Sequence, residues 1–243
     1  MLVEQYLDGP EFSVEMFGRD GEQLCVGVTA KTVSGQPYFV ETQHLFPAEL
    51  PRQTVRDIED TVRAALRATG VRIGATHTEV KLTRHGPAIV EINPRLAGGM
   101  IPELIRLATG TDLLEQQLRA ASALPVDLAP RLSRHAGIRF LLAAGDGELI
   151  RIAGLADAVQ VAGVTAVHTT GTPGAIVRPA QDAYDRLGYI IAAADTPGTV
   201  PTALADAVSR IRIEIATPVL ASTGPATAST PATDNVVKIG MTG

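Results

Sequence analysis

Residues 74–99 read GATHTEVKLTRHGPAIVEINPRLAGG, and this stretch decides the fold. Two strands are expected, about 74–82 and 87–92, joined by a tight turn at Arg84-His85-Gly86. Val80, Leu82, Ala88, Val90 and Ile92 alternate as in a sheet with one buried face. Glu79 sits near the end of the first strand, and Glu91 and Asn93 near the end of the second. Residues two apart on a strand share a face. Two carboxylates and an amide oxygen aimed one way from neighbouring strands make a hard oxygen site suited to Mg²⁺ or Mn²⁺. The same residues also fit a solvated strand end, with Asn93-Pro94 opening an ordinary turn. Beyond them come Arg95 and Gly98-Gly99, where backbone can approach a ligand closely.

Working outward, the 243 residues allow one large domain or two small ones. An apolar share of 45% and a charged share of 19% suit a globular protein with a sizeable core. The net charge of −5 comes without a basic block, so no nucleic-acid partner and no anionic membrane surface is expected. No apolar run reaches the ~18 residues of a membrane span. The N-terminus lacks the basic and apolar regions of a signal peptide, which makes a cytoplasmic protein the default. A single cysteine, Cys25, excludes an internal disulfide and reads as a small core residue.

Strands are expected at 2–7, 11–17, 23–30 and 38–43, with turns at Asp8-Gly9-Pro10 and Asp20-Gly21. Residues 52–69 form the clearest helix, with Val55, Ile58, Val62, Ala65 and Leu66 at helical spacing and Gly70 as its stop. A second helix starts near Pro102 and ends at Gly110. A third, capped by Thr111 or Asp112, runs to about Ala123 with Leu114, Leu118 and Ala121 inward. Residues 124–134 are proline-interrupted and read as a linker. Beyond them, strands at 136–144, 148–152, 164–170, 187–193 and 211–215, a short helical piece at 155–159 and a helix from Thr199 make a small α+β unit. Residues 217–243 are expected to be a disordered tail. The expected division is therefore a first domain over 1–123, the linker, a second domain over 135–216, and the tail.

Over about 2–215 the chain resembles the second half of the ATP-grasp superfamily, closest to its L-amino-acid ligase branch, with biotin carboxylase more distant. The run Val3-Glu4-Gln5-Tyr6-Leu7-Asp8-Gly9-Pro10-Glu11 looks like the family's hinge. The resemblance implies an α+β fold: the C-terminal lobe of an ATP-grasp fold, an antiparallel sheet with helices, followed by a small α+β C-terminal domain. It implies ATP bound at Glu4, Gln5, Tyr6 and Leu7, with Glu11 reaching the ribose. It implies Glu79, Glu91 and Asn93 as ligands of Mg²⁺ (or Mn²⁺). Arg95 and His44 take the catalytic places. The run Glu41-Thr42-Gln43-His44-Leu45-Phe46-Pro47 resembles the substrate loop, so Glu41, His44, Arg95, Gly98 and Gly99 would meet the substrate.

The activity so implied is amide or peptide bond formation between small-molecule carboxylate and amine substrates through an acyl phosphate. Such phosphoryl transfer needs positioning and charge neutralisation more than covalent chemistry. The family's glycine-rich phosphate loop and its two ATP-binding lysines have no counterpart here, and Lys31 lies on the wrong side of the hinge to replace them. The chain is therefore expected to lack an N-terminal half. Two alternatives stand beside the ligase: a non-catalytic fragment or subunit, which needs a separate N-terminal half or a homo-oligomer, and a carboxylase-like enzyme.

Overall fold

The structure is a computed structural model describing residues 3–216; residues 1–2 and 217–243, including the expected tail, lie outside the described residues. β1 (Glu11–Arg19) and β2 (Glu22–Val33) meet at Asp20-Gly21, both at positive φ, as a two-residue hairpin requires. β3 (Glu41–Phe46) pairs with β2, β4 (Gly74–Thr83) with the other edge of β1, and β5 (Gly86–Asn93) with β4. Between β3 and β4 runs α1 (Arg52–Thr69), stopped by Gly70 at φ 74°. It buries Ile58, Val62 and Leu66 against Phe12, Val14, Met16, Val28 and Val80, the alternate residues on one sheet face. α2 (Ile101–Thr109) and α3 (Leu113–Ala121) cover part of the opposite face, where Leu104, Ile105 and Ala108 join Phe17 and Ala75 in a second core.

The chain continues through β6 (His135–Leu141), β7 (Gly147–Ala153), α4 (Leu155–Val159), β8 (Val164–Thr169), β9 (Ile176–Val177), β10 (Gly188–Ala194), α5 (Thr199–Arg210) and β11 (Arg212–Ala216). β6 pairs with β3, so one eight-stranded antiparallel sheet, ordered β5-β4-β1-β2-β3-β6-β10-β8, joins the regions on either side of 124–134. A three-stranded sheet, β11-β7-β9, lies beside it, and Leu149, Ile190, Leu204 and Ala207 anchor a third core. This is the expected α+β architecture, an antiparallel sheet with helices. No helix among the described residues is long and apolar enough to cross a membrane.

Four local expectations are corrected. Residues 3–10 form no strand. Both edges of β1 are taken by β2 and β4, and Gly9, at φ 139°, turns the chain so closely past Leu82 that a Cβ would meet its carbonyl oxygen at 2.2 Å. The strand expected at 38–43 begins at Glu41 and carries His44 within it rather than in a loop. On α3, Leu114 and Leu118 are exposed, while Leu113 and Gln116 face inward. Neighbouring backbone N–H groups set that phase: Gln116 accepts from Asp127 N and Gln117 from Ala75 N. Val90 is 44% exposed because it is the extra residue of a β-bulge, and Ile89 packs in its place.

Candidate active site

The polar side of the sheet is assembled by three bulges, each adding one residue to a strand. In β2 the extra residue is Val26, and Lys31 therefore pairs with Glu11 rather than Ala30 doing so. In β5 it is Val90, which sets Glu91 directly opposite Glu79. In β3 it is Thr42, which brings Glu41 opposite Val33. A one-residue slip moves side chains to the other face, so each bulge re-aims a charged group.

Lys31 lies at the centre, its side chain 1% exposed. Its Nζ is 3.3 Å from Glu11 Oε1, 2.5 Å from Glu41 Oε1 and 2.6 Å from Glu79 Oε1. Burial opposes its charge, but Glu41 and Glu79 outweigh burial and raise its pKa above the usual lysine value. Each acid also has a cation of its own: Lys81 at 4.0 Å from Glu11, Arg186 at 3.1 Å from Glu41, and His77 at 3.4 Å from Glu79. His77 turns its other ring nitrogen to Glu15, 2.8 Å away. Burial disfavours its charged form, yet Glu15 and Glu79 raise its pKa to about 9. His77, with help from Lys31 and against the cost of burial, holds Glu79 down to about 2. Burial would raise Glu41, but His44 and Lys31 hold it well below the carboxylate range.

The three expected metal ligands share a face. Glu79 and Glu91 are direct cross-strand partners, and Asn93 Nδ2 donates to Glu91 Oε2 at 2.8 Å. Both close contacts of Glu79 fall on Oε1. Glu79 Oε2, Glu91 Oε1 and Asn93 Oδ1 are thus uncommitted among the described residues, and this donor set fits a hard divalent cation. Glu79 differs from its partners in being tied inward to Lys31; Glu91 is exposed.

Among the residues expected to hold the nucleotide, Glu4, Gln5, Tyr6 and Leu7 line a cleft of about 210 Å³ closed by Lys81, Ile89 and Val90. Lys81 sits 5.1 Å from the Tyr6 ring centre and 5.9 Å from that of Phe39. Glu11, the expected ribose acid, opens β1 beside this cleft and faces Lys31.

Among the residues expected to meet the substrate, buried His44 turns Nδ1 to the Gly99 carbonyl, at 3.3 Å. Its Nε2 lies 3.3 Å from Glu41 Oε2 but without hydrogen-bond alignment. Gly99 is at φ 56°, and a Cβ there would come within 2.5 Å of the imidazole. Gly98 is exposed, as is Arg95, whose Nη1 donates to the Leu96 carbonyl. Arg186, from the far end of the chain, donates to the Glu41 carbonyl and carboxylate and stacks 3.7 Å over the Phe140 ring. Lys31, Lys81, Glu15 and Arg186 were not among the expected site residues. The break in apolar pattern at Lys31 was the available signal for one of them; Arg186 had none, since it meets Glu41 across 145 positions.

Comparison with known proteins bears on the family and the fold. The ATP-grasp domain family matches residues 1–103, and the L-amino acid ligase C-terminal domain 2 family matches residues 139–216. The uncharacterized protein y4rH of Sinorhizobium fredii is 36% identical over 211 residues, 87% of this chain and 43% of that protein. Carnosine synthase 1 of Gallus gallus is 35% identical over 134 residues, 54% of this chain and 14% of that protein. Alanine–anticapsin ligase of Bacillus amyloliquefaciens is 36% identical over 105 residues, 42% of this chain and 22% of that enzyme. In fold, the crystal structure of an L-amino acid ligase from Bacillus licheniformis matches with a TM-score of 0.78 at 24% identity, covering 88% of this chain and 53% of that one. The chain spans about half the length of these relatives or less. Residues 1–103 thus belong to the ATP-grasp domain family, and residues 139–216 to the L-amino acid ligase C-terminal domain 2 family.

Proposed function

We propose that these residues serve an ATP- and Mg²⁺-dependent carboxylate–amine ligase that joins amino acids or small acids through an acyl phosphate, in the cytoplasm. The observation that carries this reading is the pairing of Glu79 with Glu91, with Asn93 on the same face. Those three side chains would hold Mg²⁺, which supplies charge neutralisation at phosphate oxygens. Glu4, Gln5, Tyr6 and Leu7 border the adenine, and Glu11 takes the ribose. Arg95, exposed and planar, is a bidentate donor for the negative charge of the transferring group. Glu41 is already held by Lys31 and Arg186, so it contacts a substrate ammonium through its remaining lone pairs. His44, fixed by Gly99, orients the amine or takes up its proton.

The test measures ADP release by the full-length protein against pairs of acids and amines. ADP should appear only with both substrates and Mg²⁺. Glu91→Ala should lower kcat by about 100-fold or more, beyond the 10–100-fold usual for groups that only support a metal ligand, while the melting temperature stays put. Flat ADP release across a broad panel would count against the ligase.

A second reading keeps the fold and changes the assembly. On this reading it is a subunit completed by a separate N-terminal half or by a second copy. Micromolar Mg·ATP binding by the 243 residues alone, measured by calorimetry, would contradict it.

A further inference from the structure

We propose, resting on the ligase reading, that Lys31 is a positioning residue. Its ammonium is a fixed cation that ties Glu11, Glu41 and Glu79 into one unit and fills the space among them. Divalent ions are thereby kept to the side of Glu79 that faces Glu91 and Asn93.

Three observations carry this. One oxygen from each acid lies within 4.8 Å of those of the other two, a spacing that would also suit a metal ion. Lys31 Nζ occupies that point, with three N–H donors for three carboxylates at 2.5–3.3 Å. The acids come from β1, β3 and β4, and in the ligase reading they belong to the nucleotide, the substrate and the metal respectively. One buried side chain therefore sets the relative positions of all three ligands. The outer cations Lys81, Arg186 and His77 each touch a single acid of the three, so none of them can do this.

Removing Lys31 should turn the cluster into a divalent-cation site. The experiment titrates Mn²⁺ into the whole chain without nucleotide, following the free-ion signal by electron paramagnetic resonance. Melting temperatures are recorded with and without Mn²⁺. K31M and K31Q should each bind one Mn²⁺ more than the wild type and melt higher when it is present. The extra ion should vanish in K31M/E11Q, because Glu11 belongs to this cluster and not to the Glu79–Glu91–Asn93 set. K31R should bind Mn²⁺ as the wild type does. In turnover, K31M should lose about 10–100-fold, as supports of metal ligands do. The inference is overturned if neither K31M nor K31Q gains an ion or a Mn²⁺-dependent rise in melting temperature, including the case where both are unfolded and Mn²⁺ does not rescue them. The Mn²⁺ count needs no turnover. An inactive wild type would therefore sink the ligase reading without touching the role assigned to Lys31.

Discussion

The two faces of β1, β2 and β4 are equally buried and differ in what satisfies them. Toward α1 stand Phe12, Val14, Met16, Val28 and Val80; behind them, on alternate positions, stand Ser13, Glu15, Thr29, Lys31 and His77, each at most 8% exposed. The first face is held by removal of apolar area and by close packing. The second holds charges that are costly to bury and must each find a partner. It is not even fully self-satisfied: Ser13 and Thr29, opposite each other, bury hydroxyls with no partner among the described residues. A buried ion network is weak support for stability. The contrast teaches that α1 stabilises the sheet, while the polar side holds a charge network that adds little to stability and that the proposed function assigns to ligands.

The contrast can be broken most strongly on the apolar side. Ile58→Ala, at a fully buried α1 position, should cost about 2–5 kcal/mol in denaturant unfolding. The Mg²⁺ dependence of any residual activity should be unchanged. A loss under about 1 kcal/mol would mean that α1 is not the anchor assigned here.

Next comes pH, which should act on the polar side alone. Folded His77 keeps its proton to about 9, against an ordinary value of 6.5. Its contribution is complete below pH 6.5 and is lost as pH rises through 9, by about 3 kcal/mol. Glu79, held down to about 2 from 4.5, acts at the other end: its contribution is present above pH 4.5 and fades as pH falls through 2. Unfolding free energies measured from pH 6 to 9.5 should decline in the wild type and flatten in Glu15→Gln, which removes a partner of His77. A flat wild-type profile would show that the His77 pair contributes nothing.

The smallest effect is expected outside both faces. Leu118→Ser on α3 should change stability by no more than about 0.5 kcal/mol, because Leu118 is 62% exposed. A loss of 2 kcal/mol would restore the inward phase that helical spacing alone predicts for this helix.

Much was legible because it is local. Helix α1 runs over the expected residues 52–69, since apolar spacing, a proline before it and Gly70 after it all sit within one segment. The turn at Asp20-Gly21, the cap at Asp112 and the hairpin of β4 and β5 follow from the same short-range chemistry. Alternation also predicted that Glu79, Glu91 and Asn93 share a face. The phase of α3 was not legible, because two glutamines answer backbone groups far away in sequence.

By itself, then, the sequence determined the kinds of element, their order and the oxygen-bearing strand pair, because periodicity and turn chemistry act over a few residues. Only the tertiary structure decided that Lys31 joins Glu11, Glu41 and Glu79, and that Arg186 reaches back to Glu41. Strand register is a relation between segments. One inserted residue at Val26, Thr42 or Val90 changes which side chains meet, and no local pattern records it.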